Sequence, residues 1–466
     1  MDLNTRSDNR LGTENIGRLL VKLSLPAITA QVINALYNIV DRMYIGRIPG
    51  VGKIALTGLG ITFPIIMIVS AFASLIGMGG APLASINLGK KDRRKAEQIL
   101  GNCATLLTVI ALTLTVVLLL CKGQLLYIFG ASDATFPYAN AYLTIYLLGT
   151  IAVQYSLGLN AFITAQGFAT TGMITVLVGA VSNIILDPIF IFGFHMGVQG
   201  AALATIISQF ISAVWVLLFL TGKKTVIRIR KPDIKLFAPF TLRVLALGLS
   251  PFIMQSTESL IQICFNVSLK NYGSDLYVGA MVILNSVMQM GLMPLTGMTQ
   301  GAQPIIGYNY GAKNYARVKK TIRIEVVCCC VYAFAIWTMC MFFPRLPCLV
   351  FSDDAELIAL AASSMKIFFF GTIVFGLQIA FQNSFVALGQ AKVSIMLALL
   401  RKIFLLIPLM LILPRVAGLG TTGVFLSEPI ADIVAATTTT TVFLVYSKKI
   451  FAKTGDVPSP QQQEEG

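Results

Sequence analysis

Polar and charged residues divide this chain into twelve long apolar runs, near 17–45, 54–83, 97–121, 136–160, 168–193, 198–221, 242–270, 278–307, 322–343, 357–386, 393–414 and 418–446. A hydrocarbon core of ~30 Å needs about 20 apolar residues in a helix. The runs meet that length and lack strict alternation, so they predict membrane-spanning helices rather than barrel strands. Lysine and arginine gather in alternate loops: "GKKDRRK" at 89–95, "GKKTVIRIRKPDIK" at 222–235, "GAKNYARVKK" at 311–320, and the "SKKIFAK" that begins the tail. The loops between them, such as "GASDATFPY" (130–138) and "NYGSDLY" (271–277), are poor in both. The basic loops and both termini are therefore expected on the cytoplasmic side.

The two halves repeat each other. "GGAPLASINLGKK" (79–91) aligns with "GAQPIIGYNYGAK" (301–313), so that Gly79, Pro82, Asn87, Gly89 and Lys91 match Gly301, Pro304, Asn309, Gly311 and Lys313. In the first span of each half Pro26 pairs with Pro251, and in the last Gly200 pairs with Gly423 and Thr205 with Glu428. Six spans per repeat is an even number, so both halves enter the bilayer with one polarity and are related by an axis along its normal. The predicted fold is an all-α integral membrane protein, with twelve transmembrane helices in two pseudo-symmetric six-helix lobes around a central cleft. Its expected organisation is a cytoplasmic N-terminal segment (1–16), a first lobe (17–221), a basic cytoplasmic linker (222–241), a second lobe (242–446) and a cytoplasmic tail (447–466). Rocking of one lobe against the other would give alternating access.

Composition agrees. The chain is 56% hydrophobic and 12% charged, with mean hydropathy +0.80; soluble domains carry about 25% charged residues. The formal charge of +15 would suit nucleic-acid binding, but the basic residues sit in short loops between spans, so no nucleic-acid partner is expected. A cleavable signal peptide is not expected, because the N-terminus is polar and the first apolar run is too long. The eight cysteines show no metal-ligand spacing. "CCC" at 328–330 reads as apolar filler, with palmitoylation as the alternative. The single histidine, His195, falls in an external loop, which excludes a histidine metal site or a histidine proton relay. With no nucleophile motif or phosphate loop, an enzyme is not expected, and the absence of a filter-like loop disfavours a channel.

Intramembrane carboxylates are costly, roughly 2.5–3.5 kcal/mol each on insertion scales, and normally face a bundle interior. Gln31, Asn34, Asn38 and Asp41 fall on one face of the first span. Tyr37 belongs to the same candidate cleft. Asp41 could instead sit at the external end, neutralised by Arg42 or water. Asp187 lies four residues after Asn183 in the fifth span and directly before Pro188, whose missing N–H frees a carbonyl and invites a bend. These oxygens, with the Thr205 hydroxyl from the sixth span, suit a cation or a proton; a structural polar knot is the alternative. Gln255, Glu258, Gln262 and Asn266 share a face of the seventh span, where Asn266 takes the slot of Asp41. Glu428 and Asp432 could serve the cleft or pair with Arg401 or Lys402. Pro26 reads as a hinge or a tolerated membrane proline. Met288 and Met290, in a methionine-rich eighth span, suit an adaptable binding surface or ordinary packing.

Together, "NALYNIVDRMYIG", "GGAPLASINLGKKD", "NIILDPIFIFG", "GVQGAALATIISQ" and "TQGAQPIIGYNYGAKN" resemble the MATE (multidrug and toxic compound extrusion) family, in the bacterial branch that holds staphylococcal drug exporters. The resemblance runs from about Gly17 to Lys449. It implies efflux of organic, often cationic, drugs in antiport with protons or sodium, by a monomer in the plasma membrane, with no cofactor beyond the coupling ion. It also implies a first-lobe cation site at Asp41, Asn183, Asp187 and Thr205, joined by the backbone carbonyl of Ala201; these would be the metal ligands if the ion is sodium. Glu258 is the candidate second-lobe acid. The aspartate that some members carry in the tenth span is absent from "FFGTIVFGLQIAFQNSFVALG". A flippase for lipid-linked or amphipathic substrates is the alternative function.

Overall fold

The computed structural model describes residues 10–351 and 354–452. Residues 1–9 of the expected N-terminal segment and 453–466 of the expected tail lie outside the described residues.

Each predicted run forms a span: α1 (Ile16–Gly46), α2 (Gly52–Gly89), α3 (Arg93–Ile128), α4 (Phe136–Leu148 and Thr150–Ala165), α5 (Ala169–Gly193), α6 (Val198–Thr221), α7 (Ala238–Tyr272), α8 (Asp275–Gly311), α9 (Tyr315–Phe342), α10 (Ala355–Phe368 and Thr372–Ala387), α11 (Ala391–Val416) and α12 (Gly420–Ala452). Ten are unbroken helices, while α4 and α10 bend by 62° and 56°. The bends fall at Gly149 and Gly371, where a Cβ would lie 2.3 Å from the Ile206 side chain and 2.7 Å from the Pro429 backbone. Only glycine permits so close an approach of α4 to α6 and of α10 to α12. The apolar runs at 136–160 and 357–386 could not reveal these bends, because hydropathy is blind to helix direction.

The repeat is visible in local chemistry. Asp92 caps α3 by accepting from the Lys95 N–H at 3.0 Å, and Asn314 caps α9 by accepting from the Arg317 N–H at 3.4 Å. The preceding lysines, Lys91 and Lys313, are both left-handed, with φ of 61° and 59°. Each lobe has its own apolar core, around Leu100, Leu107 and Phe162 in the first and Phe265, Phe369 and Phe425 in the second. Outward faces carry exposed Leu112, Val116 and Leu120 on α3 and Val331 and Phe334 on α9, which suits contact with acyl chains.

The structure shortens the expected 222–241 linker at its far end. α7 begins at Ala238, inside it. Gln166 Oε1 accepts from the backbone N–H groups of Val226 and Ile227, at 2.8 and 3.0 Å. Arg94 pairs with Asp233 at 2.6 Å and Arg230 with Glu97 at 2.8 Å. These bonds strap the linker to the first lobe.

α1 packs on α8, and α2 on both α7 and α8, so the lobes meet mainly along three helix pairs. The seam is close-packed at mid-span, where a Cβ on Gly248 would lie 1.7 Å from the Leu75 carbonyl oxygen, and again at the end carrying the basic loops. There a Cβ on Gly89 would lie 1.9 Å from the Tyr308 carbonyl oxygen, and one on Gly311 would lie 1.9 Å from that of Ile86. Ser85 Oγ donates to the Pro304 carbonyl at 3.1 Å, and Ser24 Oγ to that of Met298 at 3.2 Å. Leu11, ahead of α1, joins the same seam by accepting from Asn309 Nδ2 at 2.8 Å.

Candidate functional site

Above this seam lies a central cavity of about 830 Å³, lined by α1, α2, α4–α6, α7 and α8. At its far end the lining residues Leu56 and Val282 are exposed, so the cavity opens away from the basic loops. The polar face predicted for α1 points into it: Gln31, Asn34, Tyr37, Asn38 and Asp41 all line the cavity, as do Gln255 and Gln262 from α7. Two of these also tie the lobes together. Gln31 Nε2 donates to Gln300 Oε1 at 3.4 Å, and Gln255 Oε1 accepts from Ser74 Oγ at 2.8 Å.

The first-lobe cluster assembles on one wall. Asp41, Asn183, Asp187 and Thr205 are buried, Asp187 completely. Asp41, Asn183 and Thr205 line the cavity, with Asp187 just behind them. Asn183 Nδ2 donates to Asp187 Oδ1 at 3.3 Å and reaches Thr205 Oγ1 at 3.5 Å. The Thr205 hydroxyl donates in turn to the Ala201 carbonyl at 3.0 Å, which gives Ala201 its place as the support of Thr205. The carboxyl groups of Asp41 and Asp187 are near enough to interact electrostatically. Among the described residues, three buried oxygens of this cluster have no partner: Asp41 Oδ1, Asp187 Oδ2 and Asn183 Oδ1. Among the described residues, neither aspartate pairs with a lysine or arginine. The Arg42 guanidinium lies over the Phe63 ring instead, 5.4 Å from its centroid.

Buried polar oxygens without partners are costly, and adjacent carboxylates repel unless something positive lies between them. The donor set suits such a species: carboxylate, amide and hydroxyl oxygens are hard ligands. Among the described residues no group of three or more His, Cys, Asp or Glu side chains could hold a metal ion. A sodium ion here would therefore depend on Asn183 and Thr205 as well as the two acids.

The prolines behave differently from one another. Pro26 lies inside α1, which continues through it as helix. After Pro188, α5 changes from α-helical to π-helical over Ile189–Gly193, the local consequence of the missing N–H.

The second lobe differs from expectation. Glu258 is not free in the main cavity: its Oε2 accepts from Lys402 Nζ at 2.8 Å, in a smaller chamber that also holds Met288. Arg401 spans Asp432 and Glu428, at 2.7 and 3.1 Å, which decides for the ion-paired reading of those acids. Met290 is 56% exposed and lines neither cavity, so it leaves the candidate cleft. A methionine-rich helix does not reveal from sequence which of its methionines face inward.

Apart from Tyr37, the aromatic part of the wall escaped the sequence reading. Tyr142 and Tyr146, both buried, line the cavity beside the cluster, with rings 6.3 Å apart. Their four-residue spacing in "NAYLTIYLL" marks a common helix face, but nothing local says that the face borders a cavity.

The MatE family model matches residues 26–189 and 251–412, one segment in each half of the chain. Multidrug export protein MepA of Staphylococcus haemolyticus is 28% identical over 433 residues, which cover 93% of this chain and 94% of that protein. MepA of Staphylococcus aureus strain MW2 is 27% identical over 431 residues, covering 90% of this chain and 91% of the relative. Among solved structures, a crystal structure of MATE in the bent conformation superposes with a TM-score of 0.89 at 21% identity, covering 96% of this chain and 98% of that one. An outward-facing multidrug resistance MATE family transporter of the MOP superfamily superposes with a TM-score of 0.88, also at 21% identity, covering 95% and 98%. The fold, the repeat and the family match agree: this chain belongs to the MATE family of multi-pass membrane transporters and is not an enzyme.

Proposed function

We propose that this chain is a secondary active exporter of organic, often cationic, compounds, working by antiport with protons or sodium in the plasma membrane, with its basic end cytoplasmic. The observation that carries the reading is the buried Asp41–Asp187 pair, which has unpartnered oxygens and no lysine or arginine partner among the described residues. A proton, or a sodium ion held by Asp41, Asp187, Asn183 and Thr205, removes the repulsion between the two carboxylates. The same charge change alters the attraction of the cavity for a cationic compound, so ion and substrate exclude one another electrostatically. Coupling needs only that the ion bind one orientation of the lobes more tightly than the other. The multidrug export relatives support the substrate class. The charged residues lining the main cavity are Asp41 and Arg42, and this is not the strongly cationic cleft that would favour a flippase.

The test is efflux of a fluorescent organic cation from proteoliposomes under a sodium gradient or a proton gradient, in wild type and Asp187→Asn. Gradient-driven efflux lost in the variant is the expected result, and the effective gradient names the ion. Gradient-driven efflux that persists unchanged in the variant refutes the role given to this pair. An absence of driven efflux in wild type refutes the exporter reading.

A further inference from the structure

The acids nearest the central cleft are treated differently in the two lobes. In the first, Asp41 and Asp187 stand without a lysine or arginine partner among the described residues. In the second, three acids meet two cations: Glu258, Glu428 and Asp432 against Arg401 and Lys402. The repeat offset of Phe190 from Leu413, seen where Gly200 and Gly423 pack against them, carries Arg401 and Lys402 back to Val178 and Gly179. The cations are therefore additions peculiar to the second lobe. With all five groups ionised, the cluster keeps one uncompensated negative charge.

The two cations are held differently. Arg401 is locked: Nε donates to Asp432 at 2.9 Å, Nη2 to Glu428 at 3.1 Å, and the guanidinium lies over Phe375, 4.8 Å from the ring centroid. Among the described residues, Lys402 Nζ makes one bond, to Glu258 Oε2. Lys402 is nearly buried, whereas the Glu258 side chain is 45% exposed and lines a chamber of about 290 Å³. That chamber is walled by Met288, Leu292 and Met293 and edged by Gln289 and Thr296. Gln31 lines both it and the main cavity, so the chamber is a side pocket of the central cleft. Both cations sit in a seven-residue π-helical stretch, Leu400–Leu406. Such departures from α-helix are frequent at functional sites.

We propose that this side chamber is a second binding site for the head group of an organic cation, and that Lys402 is a tethered cation that competes with the ligand for Glu258. The half-exposed carboxylate supplies the charge, and the methionine and leucine walls take an apolar body. When the chamber is empty, Lys402 keeps Glu258 paired. A monocation arriving from the cleft takes the exposed face of the carboxylate at the expense of the lysine contact. The lysine thereby sets a lower limit on how tightly a cation must bind to occupy the chamber. The proposal rests on the cleft accepting organic cations, but its test reads binding rather than transport.

The experiment measures equilibrium binding of tetraphenylphosphonium to the purified full-length protein in detergent. Lys402→Met removes the competitor, and affinity should rise about tenfold, the scale of one interaction with a charged group. Lys402→Arg keeps a competitor and should bind no more tightly than wild type. Adding Glu258→Gln to Lys402→Met should abolish the gain. Asp41→Asn should leave the Lys402→Met increment intact, which separates this chamber from the first-lobe cluster. An unchanged affinity in Lys402→Met, or a gain that survives Glu258→Gln, overturns the proposal. If Lys402→Met does not fold, the double variant decides with wild type, because it removes both charges together. The proposal then requires weaker binding in the double variant, and equal or tighter binding refutes it. Failure of ion-driven efflux in wild type would remove the exporter reading while leaving this binding result to stand or fall by itself.

Discussion

Alanine at Gly89 or Gly311 should force the seam between the lobes apart. In each case the added Cβ would sit 1.9 Å from a backbone carbonyl oxygen of the opposite lobe, that of Tyr308 or Ile86. Ordinary contact begins near 3.4 Å, so α2 and α8 must retreat by roughly 1.5 Å. No rotamer relieves the clash, because both partners are backbone atoms. Overpacking of this kind costs about 1–3 kcal/mol. The cost falls only on the arrangement in which the basic end is closed, so it should shift the balance between lobe orientations by about 5–150-fold. A cysteine at Asn34, in the cavity wall, reports the shift through labelling by a membrane-impermeant maleimide applied to one face of the membrane at a time. Labelling from the basic-loop face should rise and labelling from the other face should fall, by similar factors in Gly89→Ala and Gly311→Ala. Gly123→Ala is the control, since a Cβ there meets nothing within 4 Å. Folded variants with unchanged labelling would refute the reasoning. So would a large difference between the two sites, because the argument depends on their equivalence.

Two further outcomes follow from buried charge and backbone strain. Arg401→Met leaves Glu428 and Asp432 facing one another in the second-lobe core, and should cost about 3–5 kcal/mol, read as a lower thermal unfolding temperature in detergent; adding Glu428→Gln and Asp432→Asn should restore most of the loss, and no recovery would show that packing rather than charge is responsible. Lys91 and Lys313 occupy left-handed backbone positions, so Lys91→Val and Lys313→Val should each lower stability by about 1–2 kcal/mol while the glycine variants are tolerated, again read by thermal unfolding.

Much of the architecture was legible in the order of residues. A bilayer forces backbone groups to pair within a helix, so long apolar runs fix helices with few alternatives. The repeat of "GGAPLASINLGKK" in "GAQPIIGYNYGAK" announced two lobes, and the matched caps at Asp92 and Asn314 show the same local chemistry in both. The polar stripe on α1 was readable because a helix repeats every 3.6 residues and lipid tolerates little polarity. The four-residue step from Asn183 to Asp187 likewise placed both residues on one face.

Tertiary structure decided what those faces meet. Asp187 approaches Asp41 only because α5 packs against α1, a pairing that no local pattern encodes. The sequence puts the second-lobe acids in different slots from the first, with Asn266 where Asp41 would stand, but only the fold brings Arg401 and Lys402, from more than a hundred residues beyond Glu258, against them to neutralise them in part. Met288 and Met290 are two residues apart, but one lines the side chamber and the other faces outward, a distinction set by the rotation of α8 against its neighbours. The bends of α4 and α10 and the closed seam at Gly89 and Gly311 depend on how closely two backbones approach. Hydropathy carries the free energy of leaving water along one chain. The distances between separate helices come from packing, and only the folded molecule sets them.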